Sequence, residues 1–325
     1  MLAKVNPHPR DSLIVFDEEP HIYTITSDPD SAYTSCTTFI HKFFGHFDAD
    51  AIIDKMVNSR AWSKNKYHGK TREEIKMLWE INRNEASLAG TAMHKAIEDF
   101  YNGELTLEQL KPMPNLQHFL KFYEELGDKL SPYRSEWMIF DTDYKLAGSI
   151  DFITKNIDGS LDLWDWKRSR EIKRENPWQQ GLRPVQHLPD TNYWHYSLQL
   201  NLYKTLLEKN YDVKVRNLSL VVMHPNQDSY EVIEVSDLTR ELKLILNHRV
   251  KQEKFSDLLL MPLTSSNLTT CSDGDGDGDN DSNLESEPET ESNKTKHILK
   301  LSYSNTDVNP SPSANIIKPP AICLI

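Results

Sequence analysis

Alternation and helical spacing of apolar positions divide the first 263 residues into short strands and helices. "LIVFDEEPHIYTI", from Leu13 to Ile25, predicts two strands around an acidic, proline-containing turn, and "TSCTTFIHKFF" predicts a helix opened by a hydroxyl cap. Residues 72–102 carry helical spacing. Within "GTAMHKAIEDFYNG", Met93, Ile97 and Phe100 form an apolar stripe, His94, Glu98 and Tyr101 the adjacent one, and Gly103 stops the helix. A second helix is predicted over 115–129, followed by strands near 133–140, 146–155 and 160–167. After a polar, tryptophan-containing loop come a helix over 192–210, the strands "NLSLVVMH" and "SYEVIEV", and a closing helix from Asp237 to about Lys254. This order predicts a mixed α/β sandwich rather than a regular βαβ repeat.

The register of the middle strands decides which side chains meet. In "GSIDFITKNIDGSLDLWDWKRSR", Gly148 to Arg170, the turn Asn156–Gly159 suits a type I turn closed by a left-handed glycine, so paired residue numbers sum to 316. Asp151 then opposes Asp165, and the period of two puts Lys167 on the same face. A two-residue loop would shift the sum to 317 and separate the aspartates. One hairpin earlier, a four-residue loop "DTDY" would pair Phe140 with Lys145 and set Glu136 opposite Ser149, diagonal to Asp151. One surface would thus hold Glu136, Asp151, Asp165 and Lys167.

Opposed carboxylates on a sheet repel, and burial makes this worse unless positive charge lies between them. A hard divalent cation answers this, and Mg²⁺ favours one or two carboxylates plus phosphate oxygens, so acids beside a lysine describe a phosphodiester site. The lysine can orient or deprotonate an attacking water. The competing account is a solvated hairpin face; Leu161 and Leu163, which share the face of Asp165, argue against it.

Charge refines the picture. The net charge is −12, and half of it lies beyond residue 263, where ten acids meet four lysines. Any nucleic-acid contact must therefore use a local basic patch, for which Lys167, Arg168, Arg170, Lys173 and Arg174, with Trp166, Trp178 and Trp194 nearby, are the candidates. Residues 264–325, rich in Ser, Asn, Asp, Gly and Glu, cannot bury enough apolar surface to order and are predicted to be a disordered acidic and polar tail. Its "DGDGDGDND" lacks the position-12 glutamate of a calcium loop, since that place is Leu284. "GKT" at Gly69 is no phosphate loop, because Lys64 stands where a glycine is required. Cys36, Cys271 and Cys323 are too scattered for a disulfide framework or a zinc site. With no run of 18 apolar residues and no secretory leader, the expectation is an intracellular protein, cytoplasmic or nuclear, not secreted, without evident mitochondrial targeting and with no membrane partner.

Five pieces in order then resemble a known family. "GTAMH" ending at His94, "SEWMIF" with Glu136, "GSIDFI" with Asp151, "DWK" with Asp165 and Lys167, and "QLNLY" with Gln199 and Tyr203 resemble the RecB and lambda-exonuclease-like branch of the PD-(D/E)XK nuclease superfamily. "CTTFIHKFF" and the stretch leading to His94 resemble the subgroup of phages, large DNA viruses and mitochondrial genome-maintenance exonucleases, so a virus-encoded chain fits. Two departures stand out: Ile150 replaces the proline before Asp151, and the cysteine quartet of iron–sulfur relatives is absent.

The resemblance implies a restriction-endonuclease-like fold, with residues 1–80 as an accessory segment and 81–263 as the nuclease core. It further implies a Mg²⁺- or Mn²⁺-dependent deoxyribonuclease of exonuclease or end-processing type, acting on DNA with a free end or single-stranded portion in replication, recombination or repair. Metal ligands would be Asp151, Asp165, His94 and Glu136, with Lys167 catalytic. Gln199 and Tyr203 would support the site or the nucleic-acid strand, Arg168 and Arg170 would serve that strand, and the tail could carry a protein partner. The alternatives are an inactive nucleic-acid-binding scaffold and an RNA endonuclease of the same fold.

Overall fold

The structure is a computed structural model that describes residues 1–260, with side chains to residue 250. In chain order it contains α1 (Leu2–Val5), β1 (Ile14–Asp17), β2 (Ile22–Ile25), β3 (Thr34–Ser35), α2 (Cys36–His41), α3 (Ala49–Val57), α4 (Arg72–Tyr101), α5 (Leu107–Leu110) and α6 (Gln117–Leu126). Then follow β4 (Pro132–Asp141), β5 (Leu146–Lys155), β6 (Leu161–Lys167), α7 (Asn192–Asn210), β7 (Val215–Val222), β8 (Glu231–Glu234) and α8 (Thr239–Leu260). This is a mixed α/β fold on a mixed central sheet. Among the described residues no helix is long and apolar enough to cross a membrane.

Antiparallel β4 covers one edge of β5 along its length, while the other edge is shared: β3 pairs in parallel at Leu146 and Ala147, and β6 pairs antiparallel at Phe152–Lys155. Residues 148–151 therefore have no ladder partner on that edge. Beyond β6 the sheet continues with parallel β7 and antiparallel β8. One face buries the leucines of α7 with Phe39 and Ile40 of α2 and Leu242 and Ile245 of α8; the other buries Met93 and Ile97 of α4 and Phe119 and Phe122 of α6 against Phe152 and Trp166. Helix α4 starts on a capping box in which Thr71 and Glu74 bond each other's backbone N–H groups, and Gly103, at a left-handed φ of +76, follows its end.

The β5–β6 register follows the sum of 316, with Phe152 opposite Trp164 and Lys155 opposite Leu161. Gly159 takes φ +85, and its N–H donates to the Asn156 carbonyl at 2.9 Å. The β4–β5 hairpin differs from expectation. Asp141 pairs with Leu146, so the loop is Thr142–Lys145 rather than "DTDY", and Glu136 falls beside Asp151 rather than Ser149. The shift of two keeps the face. Its cause is Asp141, which is fully buried at the strand end and accepts from the Tyr144 N–H at 2.7 Å, Lys209 at 2.6 Å and Asn210 at 2.7 Å.

The boundary expected at residue 80 lies inside α4, and the front segment contributes to the main core through β3 and α2. Its first residues lace onto β4: buried Arg134 makes two bonds to Asp11, at 2.9 and 3.2 Å, and Trp137 Nε1 donates to Asp11 at 2.8 Å. Residues Met1–Leu259 form one compact unit. The expected tail, 264–325, lies outside the described residues.

Candidate metal centre

The gap between β5 and β6 builds the site. Past Phe152 the strands part, which would leave the backbone of Trp166 without a ladder partner on the β5 side. Two side chains replace it. Asp151 Oδ2 accepts the Trp166 N–H at 2.8 Å, and His94 Nε2 donates to the Trp166 carbonyl at 2.9 Å. Trp166 itself is immobilised, its buried indole stacked on Phe152 and edge-on to Phe119 and Phe122. Met93 and Ile97, packed in the same core, hold α4 so that His94 reaches the gap.

Because Nε2 carries the proton given to a carbonyl, the neutral ring turns the lone pair of Nδ1 to the carboxylates. Nδ1 lies 3.5 Å from Asp151 Oδ2 and 3.7 Å from Glu136 Oε1. One ligand atom from each of His94, Glu136 and Asp151 fits within a 4.8 Å cluster, and this nitrogen-and-oxygen donor set suits a divalent cation. Glu136 has φ +44 in the middle of a strand, at a place where the β4–β5 ladder skips a pair. A left-handed glutamate costs roughly 1–2 kcal/mol, and here the kink turns the carboxylate toward His94. The Ser149 hydroxyl fixes it by donating to Oε2 at 2.8 Å.

Asp165 and Lys167 stand beside this group as an ion pair, Nζ to Oδ2 2.7 Å, with the ammonium 4.7 Å from the centre of the Tyr196 ring. Of the four expected metal ligands, three converge; Asp165 is instead neutralised by Lys167. Burial pushes the Asp151 carboxyl up, with Glu136 adding to it and His94 and Lys167 opposing. Burial likewise raises Asp165 to about 6 against the pull of Lys167. Burial disfavours the Lys167 ammonium, but Asp165 and Asp151 outweigh it and the pKa rises. Without a metal, the two carboxylates thus favour the charged form of the lysine. For His94, too, burial is outweighed by Asp151 and Glu136, which raise it to about 9.

The remaining candidates are placed as follows. Gln199 donates to the Tyr203 hydroxyl at 2.9 Å, and Tyr203 is buried with its ring against Gly148 of β5, as the site-supporting alternative expects. Arg168 and Arg170 make no hydrogen bond or ion pair with any described residue and lie just past Lys167. Among the tryptophans considered for stacking, Trp166 is fully buried and Trp194 donates to the Arg174 carbonyl; Trp178 is 90% exposed. Sequence reasoning missed Ser149 and Tyr196, since neither a hydroxyl nor an aromatic at these spacings distinguishes support from packing.

The sequence model of the PD-(D/E)XK nuclease superfamily matches residues 64–271, which span every residue of this site. The chain belongs to that superfamily. Membership makes it a nuclease, a hydrolase of phosphodiester bonds. Among solved structures, one from Eubacterium rectale, provisionally described as an exonuclease, is 13% identical, covering 56% of this chain and 72% of its own with a TM-score of 0.32. The structure of SSO0001 is 17% identical, covering 41% of this chain and 56% of its own with a TM-score of 0.24. No curated protein matches the chain.

Proposed function

We propose that this nuclease is a divalent-metal-dependent deoxyribonuclease of exonuclease or end-processing type. The observation that carries the reading is the convergence of His94, Glu136 and Asp151 beside the Asp165–Lys167 pair. These three residues would hold Mg²⁺ or Mn²⁺, with Asp165 joining them once Lys167 turns to substrate. When bound there, such an ion would polarise a phosphodiester oxygen and lower the pKa of a water. Lys167, held charged by two carboxylates, orients the attacking water and offsets charge developing on the phosphate. Trp166 fixes His94 and Asp151 through its backbone, so the donors need little rearrangement. Preference for DNA, for ends and for roles in replication, recombination or repair follows from the resemblance of "QLNLY" and its companion motifs.

The test is nucleotide release from linear and circular DNA and from RNA, single- and double-stranded, with Mg²⁺, Mn²⁺ or EDTA. The expected result is metal-dependent loss of linear DNA that falls at least about a hundredfold in Lys167→Ala, in the range of one removed transition-state contact. Retained DNA binding without hydrolysis under any metal would make the chain a binding scaffold, and preferential loss of RNA would reassign the substrate.

A further inference from the structure

The parallel strands β6 and β7 end side by side, with the Met223 N–H donating to the Lys167 carbonyl at 2.8 Å. The next residues on the two strands are Arg168 and His224. By the period of two, Arg168 shares the face of Trp166, toward α6, which carries His118. The His118 Nε2–H donates to the His224 carbonyl at 3.0 Å. His224 is otherwise fixed by its own turn: its N–H donates to Gln227 Oε1 at 2.8 Å, and its Nδ1 accepts the Asn226 N–H at 3.1 Å.

This leaves a group of donors without acceptors. Since His224 Nδ1 is used as an acceptor, the neutral ring carries its proton on Nε2, and that N–H has no acceptor among the described residues. The guanidinium of Arg168 has none either, and its Nε is sealed from solvent. Arg170, exposed beside it, has neither an acceptor nor an acidic partner among the described residues. The charges felt by His224 are those of Arg168, Arg170 and His118, all basic, and with burial they hold its pKa down at about 4. Burial and Arg170 likewise lower Arg168. In a chain of net charge −12, like charges gathered without a carboxylate are electrostatically costly unless an anion joins them.

We propose that Arg168, Arg170 and His224, braced by His118, form a seat for a second phosphate group of the substrate strand, next to the one at Lys167. The seat matches phosphate because it offers only donors, two of them planar guanidinium forks, to a ligand that only accepts. The proposal rests on the nuclease reading. The phosphate can be an internal diester or a terminal monoester, and the two are distinguished by the substrate used.

The full chain is tested in EDTA, where no cleavage intervenes, by fluorescence anisotropy with short single-stranded DNA bearing a 5′-phosphate, a 3′-phosphate or neither. Arg168→Gln is expected to weaken binding about tenfold and, for a lost charged phosphate contact, to lower the slope of log affinity against log salt by about 0.7, whereas His224→Gln, which removes a neutral donor, is expected to weaken binding with the slope unchanged. A purely structural role would not move that slope. Weakening confined to one phosphorylated end assigns a terminal phosphate, and equal weakening of all three assigns an internal diester; either supports the seat. An unchanged slope in Arg168→Gln, or unchanged affinity in His224→Gln, overturns it. Independently of any variant, titrating the wild-type protein with inorganic phosphate should shift the His224 imidazole resonances saturably, and absence of that shift also overturns the seat. Hydrolysis with an unchanged slope in Arg168→Gln would remove the seat alone, whereas an intact seat without hydrolysis under any metal would remove the nuclease reading alone.

Discussion

His94 has two states available to it, and the choice between them sets the pH behaviour of the site. Without metal the ring is protonated between Asp151 and Glu136, with its pKa raised to about 9 from an unfolded value near 6.5. A raised pKa gives stability that is fully present below about 6.5 and is lost as the pH climbs through about 9. In EDTA the melting temperature should therefore fall between pH 6.5 and 9, and His94→Asn should flatten that part of the profile. Metal binding needs the neutral ring and so releases a proton, which makes affinity rise with pH. The gap between melting temperatures with Mn²⁺ and with EDTA should widen across the same interval. An identical EDTA profile for His94→Asn would show that the ring does not take this proton.

Among the elements, β5 is the one on which the site depends, because it changes partner along one edge. Gly148 lies in the stretch with no ladder partner there, and an added Cβ would come within 2.8 Å of the Tyr203 ring and 3.3 Å of Cys36 Sγ. Gly148→Ala should cost about 1–3 kcal/mol by overpacking and push Tyr203 off the strand. Gly90→Ala, in α4 where a Cβ meets nothing, should instead gain about 0.5–1 kcal/mol. Denaturant unfolding of the two variants measures both; a neutral Gly148→Ala would mean that Tyr203 does not brace β5. The β5–β6 register was legible because Asn156, Asp158 and Gly159 suit a three-residue loop closed by a left-handed glycine better than a two-residue one, and this was enough to bring Asp151, Asp165 and Lys167 to one region. The β4–β5 register was less so. "DTDYK" offers turn residues in two phases, and only the burial of Asp141 beneath Lys209 and Asn210 selects one. The divergence of β5 from β6, and the kink at Glu136, left no local trace in the sequence, and the partners found there, such as His94 beside Trp166 and Glu136, lie far away along the chain.

At the scale of the molecule, the front of the chain is part of the core. Local pattern showed its strands and the cap of α2 but could not show that residues before Leu13 clasp β4, because Asp11 meets Arg134 across more than a hundred residues. Helix α3, short and without a marked stop signal, was likewise missed; it packs Ile53 against Ile75 and Trp79 of α4. Asp11→Ala would leave the buried Arg134 unpaired and Trp137 Nε1 without its acceptor, at a cost of about 3–5 kcal/mol. Burial raises the Asp11 carboxyl, but its bonds to Arg134, His8 and Trp137 prevail and lower it, so this stability is present above the ordinary carboxylate range and is lost in acid. Thermal unfolding of Asp11→Ala at pH 7 and pH 3 checks both points: the variant should differ from wild type mainly at pH 7. In the proposed function, the clasped front segment and the parted strands together hold His94, Glu136 and Asp151 as the donors of one cation. Titration of the full chain with Mn²⁺, followed by electron paramagnetic resonance of the free ion, tests that most directly. The account predicts a saturable site in wild type that is retained in Lys167→Ala and lost in Asp151→Asn and Glu136→Gln. Undiminished Mn²⁺ binding in Asp151→Asn would contradict it.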